Sequence, residues 1–272
     1  MAGGPRPMTR LAVTLLCLVV VLGLAAPWLA PHPYAQQIRE FTTTAPQPGF
    51  PMGLDDLGRD RLSRLLYATR VSVLLAPAAA TISILVALLL SALAATPSRT
   101  LRWSLSLGNS IFLSLPWIFL FIILRAKLPL NTDPVVSVTL TFALMGVAGW
   151  AVPSRAFTAS ILGMKDAGWL LQARAAGLKP WRIATSHAWP HLWALALAQF
   201  RILIPAYVLS EASLGLLGLG VADPMPSWGN LLQDLQHPDV VQANPWTLAP
   251  LGLLVFVMIC LEVLAPSRKV AL

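Results

Sequence analysis

Long apolar stretches, each near the length of a bilayer crossing, alternate with short polar connections along this 272-residue chain. A helix rises about 1.5 Å per residue, so crossing the hydrocarbon core takes roughly 20 apolar residues. Six stretches meet that need: Leu11 to Ala30, Ser72 to Ala95, Ser104 to Leu124, Val135 to Val152, Leu192 to Gly220 and Trp246 to Leu264. The first follows Arg6 and Arg10 and ends in small residues, as a cleaved signal peptide does. Its length and the spans that follow favour a retained anchor. The pattern predicts an all-α integral membrane protein with six transmembrane helices.

Two polar stretches carry structure of their own. In LDDLGRDRLSRLLYATR, apolar residues recur at Leu54, Leu57, Leu62, Leu65 and Leu66. That spacing predicts an amphipathic helix lying at the outer interface and leading into the second span. Residues 154–190 form the longest expected inner connection. KDAGWLLQARAA holds good helix formers, with Trp169, Leu170, Ala173 and Ala176 along one side. Gly177 suits the left-handed position that ends such a helix, and Pro180 the first turn of a second helix, PWRIATSHA. Pro190 then marks the start of the fifth span. Small residues at 173, 175 and 176 leave room for another backbone. Such a knuckle has the shape of a docking surface, although a solvated loop that only serves topology has the same composition.

Composition agrees with the apolar runs. The chain is 57% hydrophobic and 11% charged, against about 25% charged residues in an ordinary soluble domain. The net charge of +8 marks inner loops rather than a nucleic-acid partner, because basic residues hold cytoplasmic connections in place. Arg6, Arg10, Arg99, Arg102, Arg155, Lys165, Arg174, Lys179, Arg182, Arg268 and Lys269 fall inside if the N-terminus is inside. Arg39, Arg59, Arg61, Arg64, Arg70, Arg125 and Lys127 then fall outside. The excess predicts both termini inside. Trp28, Trp103, Trp228 and Trp246 stand near span ends, as an interfacial aromatic belt does. Cys17 and Cys260 both lie in apolar runs and read as small fillers.

With these residues in view, the chain resembles the permease subunits of ABC importers of the dipeptide/oligopeptide/nickel type. Their inner loop runs E-A-A, three residues, G, nine residues, I-x-L-P. Here Leu171-Gln172-Ala173 stand at E-A-A, Gly177 and Pro190 match, and His187 and Trp189 take the I and L places. PMGLDDLGRDRLSRLLYATRVSVLL is similar to the family's outer segment through Gly53, Asp55, Leu57, Gly58, Arg59, Asp60, Ser63, Arg64, Arg70 and Ser72. SEASLGLLGLGVADPMPSWGNLL is similar to a third segment, through Glu211, Ala212, Leu214, Leu217 to Gly220, Pro224 and Pro226 to Asn230. The resemblance spans roughly residues 10–265. It divides the chain into an anchor and outer segment over 1–70, a five-helix permease core over 71–265 and a cytoplasmic tail over 266–272.

The resemblance implies one of two non-identical membrane subunits of an importer. Its partners are a second homologous permease, two cytoplasmic ATPases that hold ATP and Mg, and an extracytoplasmic solute-binding protein. It implies a prokaryotic inner membrane and no cofactor in this chain. ATPase coupling falls to Leu171, Gln172, Ala173, Arg174, Ala175, Gly177, Lys179 and Pro180. Binding-protein docking or an outer gate falls to Asp55, Arg59, Asp60, Arg64 and Trp228. Leu171 in place of Glu removes an expected polar contact with the ATPase. Dipeptides, longer peptides, nickel chelates and glutathione are all cargo of related permeases.

The remaining features have competing readings. No G-x-x-x-x-G-K-[ST] occurs, so this chain does not hydrolyse nucleotide through a P-loop. His187 and His191 lack the catalytic Glu of a zinc helix, and Pro190 stands between them. Charged groups inside spans are costly in lipid unless a cavity or partner takes them. Arg201 and Glu211 are therefore candidates for a translocation path, or else are satisfied by backbone, water or a partner subunit. At about 15 Å along a helix they are too far apart to pair. Glu262 lies near Arg268 and Lys269. Ser114, before Leu115 and Pro116, and Pro205 mark kinks that either line a path or simply bend a helix. Gly215, Gly218 and Gly220 form a small-residue stripe for close packing. The rival classes are an ion-gradient-driven secondary transporter, disfavoured by the lack of a visible repeat, and a membrane scaffold.

Overall fold

The computed structural model describes residues 7–38, 40, 45–116, 119, 122–123, 133–165 and 167–264. Arg6, Arg39, Arg125, Lys127, Asp166, Arg268 and Lys269, part of the third span and the tail 266–272 lie outside the described residues. Among those described, the chain forms α1 (Pro7–Leu24), α2 (Arg61–Ala94), α3 (Arg99–Ser114), α4 (Pro134–Ala148), α5 (Ala151–Lys165), α6 (Gly168–Ala175), α7 (Trp189–Leu216) and α8 (Ala249–Leu264). Short helical turns cover Ala26–Leu29, Pro180–Ile183, Trp228–Leu231 and Pro238–Ala243. The only bridges among these residues are isolated ones, Gln47 with Phe50 and Leu54 with Asp60. The chain is an all-α membrane protein.

Among the described residues, five stretches are long and apolar enough to cross a bilayer: Pro7–Leu24, Arg61–Ala94, Pro134–Lys165, Pro180–Leu216 and Pro245–Leu264. The third expected span, Ser104–Leu124, is helical from Arg99 and stops at Ser114, where Leu115 turns extended before Pro116. The residue before a proline disfavours helix, which gives the stop its cause.

The outer amphipathic helix is not there. Leu54 to Asp60 is a tight turn, and a single helix runs from Arg61 to Ala94. Asp55 accepts from the backbone N–H of Leu57 at 3.0 Å and of Arg59 at 2.8 Å, a local bonding pattern that competes with helix. Gly58 sits at φ +71°. Asp60 then caps α2 by accepting from Leu62 N–H at 3.3 Å and Ser63 N–H at 3.1 Å. The boundary expected after residue 70 falls inside this helix.

The inner connection is also shorter than expected. Residues 154–165 belong to α5, which follows α4 after a break at Gly149 and Trp150. Pro153 explains the break: it has no N–H for the carbonyl four residues back. Nor is the second knuckle helix separate. Pro180–Ile183 continues through a π-turn, Ala184–Ala188, into α7. Pro190 would drive its ring into the Ser186 carbonyl, and the wider turn just ahead of it relieves that clash.

α2 is the hub of the bundle, packed against α1, α4, α5 and α7. Its buried face carries small residues every fourth position: Ala79, Ser83, Ala87 and Ser91. Small side chains let helix axes approach closely in a membrane, where lipid is as apolar as Leu. At Gly146 of α4 an added Cβ would lie 2.9 Å from the Ala79 carbonyl oxygen. Ser83 Oγ donates to that glycine's carbonyl at 2.5 Å, tying the two helices at the crossing.

Candidate functional site

The knuckle has a small core of its own. Leu170 and Ala173 of α6 are buried against Ile183, with Trp169 and Leu178 packed around them. Gly177, at φ +73°, donates its N–H to Arg174 O at 3.0 Å, and Leu178 donates to Ala173 O at 3.1 Å. These paired bonds close the helix end around a left-handed residue that only glycine adopts freely. Trp169 stacks on His187, with rings 5.5 Å apart and 9° from parallel, fastening α6 to the root of the 37-residue Pro180–Leu216 helix. Leu171, Gln172, Arg174, Ala175, Gly177, Lys179 and Pro180 are exposed, while Ala173 is buried. One face therefore holds the elbow together and the other is open. Leu171 is 61% exposed and Trp181 60%, so that open face has an apolar centre between Arg174, Lys179 and Arg182.

At the other end of the same helix lies a clasp of charges. Arg59 Nε donates to Asp55 Oδ2 at 2.7 Å, and its Nη1 to Asp223 Oδ1 at 2.9 Å. Arg64 Nη2 reaches Asp223 Oδ1 at 3.3 Å. Arg61 pairs with Asp234 and donates to Leu54 O at 3.2 Å. The clasp ties the turn before α2 to the segment after α7. Burial pulls the Arg59 pKa down, but Asp55 and Asp223 more than offset it and leave it raised.

Asp55, Arg59, Asp60 and Arg64 are all buried, Asp60 and Arg64 almost completely, and they tie this segment together from within. Trp228 is 1% exposed, and its Nε1 donates to Thr69 Oγ1 at 3.1 Å. Its burial takes it out of an interfacial aromatic belt. Trp28 and Trp103 are exposed and Trp246 half-buried.

The three path candidates do not converge. Ser114 is exposed at the end of α3 and donates to Ile111 O at 2.7 Å. Arg201 is exposed on α7. Glu211 is buried beneath the Trp228–Leu231 turn, where its Oε2 accepts from Gly229 N–H at 3.2 Å. Gly215 and Gly220 make the close approach expected of them: an added Cβ on Gly215 would lie 2.2 Å from the Gly229 carbonyl carbon. Gly218 does not. It is a second left-handed helix end, at φ +73°. Pro205 lies inside α7, which continues through it.

A cavity of about 310 Å³ does open between α3, the α4–α5 break and α7, lined by Phe112, Leu115, Met145, Val152, Tyr207 and Ser210. Tyr207 Oη hydrogen-bonds Ser83 Oγ under it. Neither this pair nor Asp223 and Asp234 stands out in the sequence. Asp223 directly precedes Pro224 in one of the quoted segments, and that position was the one available signal.

Comparison with known proteins bears on both ends of this helix. The chain is 29% identical over 249 residues to the di/tripeptide transport system permease protein DppC of Pseudomonas aeruginosa (strain UCBPP-PA14), covering 89% of this chain and 79% of that protein. It is 24% identical over 267 residues to the oligopeptide transport system permease protein OppC of Bacillus subtilis (strain 168), covering 97% and 85%. With OppC of Escherichia coli (strain K12) the identity is 27% over 269 residues, covering 97% and 86%. Residues 83–266, which include the elbow, the whole of α7 and both clasp residues that follow it, Asp223 and Asp234, match the binding-protein-dependent transport system inner membrane component family, and the chain belongs to that family.

Proposed function

We propose that this chain is a membrane-spanning permease subunit of an ATP-driven importer for di- or oligopeptides. It pairs with a second, non-identical permease. Two cytoplasmic ATPases hydrolyse ATP with Mg, and an extracytoplasmic binding protein delivers the solute. The observation that carries this reading is the elbow. It is a self-packed unit with an open basic and apolar face, rooted in a 37-residue helix of a chain from a transport family. A rigid root passes a push on that face along the helix. Only a ligand with different affinities for two states can drive a switch between them. ATP plays that part on the neighbouring chains, and α7 carries the motion to the clasp. Peptide cargo is supported by the relatives, which are named for di-, tri- and oligopeptide transport.

The test is purification of the full assembly followed by uptake in proteoliposomes with the binding protein. An ATPase should co-purify, and di- or oligopeptides should enter in preference to nickel chelates or glutathione. Arg174→Glu and Gly177→Val should retain membrane insertion while losing ATP-coupled uptake. Full uptake by both variants contradicts the coupling role. An assembly that transports on an ion gradient without any ATPase contradicts the whole reading.

A further inference from the structure

A second cavity, of about 330 Å³, lies between α2, α3 and α5, at the elbow end of the bundle. Leu90 and Ala94 of α2, Leu105 of α3 and Leu162 of α5 give it apolar walls. Two guanidiniums, of Arg102 and Arg155, line it, and no carboxylate does. Among the described residues neither arginine is in an ion pair.

The arginines are held in place by neutral groups. Arg155 Nε donates to Asn109 Oδ1 at 3.0 Å and its Nη2 to Ser110 Oγ at 3.1 Å. Asn109 is fixed in turn, donating to Ala151 O at 2.9 Å and Ser154 Oγ at 2.6 Å. Arg102 donates through Nη2 to Thr96 O at 3.3 Å, while its Nε is buried without a partner. A guanidinium has five N–H donors, and these bonds use only some of them. Two cations beside an apolar wall, one with an unmet buried donor, need an occupant with negative charge and several acceptor oxygens.

The surroundings say what kind. Next in sequence to the lining residues Leu90, Ala94 and Arg102 stand exposed apolar side chains: Leu89 is 62% exposed, Leu93 41% and Trp103 65%. Leu-rich faces meet acyl chains, and a tryptophan beside arginines marks the headgroup level. Basic pockets between transmembrane helices take anionic headgroups. We propose that this cavity binds the phosphate headgroup of an anionic phospholipid, its acyl chains running along Leu89 and Leu93. The site joins the α2–α3 turn to α5, which leads into the elbow. It is independent of which solute the assembly carries.

Native mass spectrometry of the detergent-purified full assembly tests this with phosphatidylglycerol and phosphatidylethanolamine offered together. Phosphatidylglycerol should be retained preferentially, and Arg102→Gln and Arg155→Gln should each weaken retention about fivefold, the effect of one basic side chain facing anionic lipid. Arg70→Gln, at the far end of α2, should not. Equal retention of the two lipids by the wild-type assembly overturns the proposal. So does displacement by inorganic phosphate or by a dipeptide, which would make this a site for soluble anions or for cargo. If a variant fails to assemble, the wild-type headgroup comparison decides alone.

Discussion

Gly149 and Gly177 are glycines for opposite reasons. Gly149 has an ordinary backbone, φ −78°, but an added Cβ would lie 1.6 Å from Tyr207 Oη and 2.6 Å from Ser83 Oγ. Gly177 has open space around that position and a left-handed φ of +73°. Gly149→Ala is therefore expected to lower thermal stability by about 1–3 kcal/mol, as overpacking does. Tyr207→Phe in the same chain, which deletes the nearest atom, should recover part of that loss. Unfolding of the detergent-solubilised chain followed by fluorescence measures both. At Gly177, Asn visits the left-handed region and a β-branched residue does not. Gly177→Asn should keep coupled uptake where Gly177→Val loses it. The first glycine is silent in the sequence, because the atoms against it come from α2 and α7. The second is legible, because its backbone requirement is local: a helix before it, and Leu178, Lys179 and Pro180 after it.

At the scale of elements, the start of α2 shows how spacing misleads. Leu54, Leu57, Leu62, Leu65 and Leu66 recur as on a helix, yet Leu54 is fully buried and Leu57 is 48% exposed. The Asp-Asp-Leu-Gly turn residues between them decide the local structure, and the aspartates do so by bonding backbone N–H groups. Asp55 serves two backbone N–H groups and the Arg59 guanidinium, with Arg64 Nε 3.7 Å away. Removing it takes away the buried partner of Arg59 Nε and leaves the Leu57 and Arg59 N–H groups unmet, an effect of about 3–5 kcal/mol for a buried partner. Asp223 is 60% exposed at its side chain, so solvent takes over much of its role. Asp55→Ala should therefore depress the thermal midpoint of the assembly clearly more than Asp223→Ala. Equal shifts would show that the clasp is a surface pair. The other elements were readable because long apolar runs with Pro and Asp at their starts leave few alternatives. The break at 149–150 and the π-turn that fuses helices at 184–188 were not. Each depends on how one proline is accommodated rather than on pattern.

For the whole molecule, the charges outside the spans predict an orientation with the elbow inside and the clasp outside. With Cys17 and Cys260 replaced by Ser, Thr100→Cys at the start of α3 should resist a membrane-impermeant maleimide in intact cells, and Gln47→Cys should react. The reverse result would invert the elbow and the clasp. What no single stretch of sequence reveals is that the two are ends of one object. Pro180–Leu216 is continuous over 37 residues, a lever arm of roughly 55 Å at 1.5 Å per residue, so about 5° of swing displaces its tip by about 5 Å. The Trp228–Leu231 turn is wedged glycine to glycine against that tip and has to ride with it. Relative movement then falls on the seam where charges meet, Asp223 with Arg59 and Arg64 and Asp234 with Arg61. Ion pairs can break and re-form partners within such a stroke, as interlocked backbones cannot.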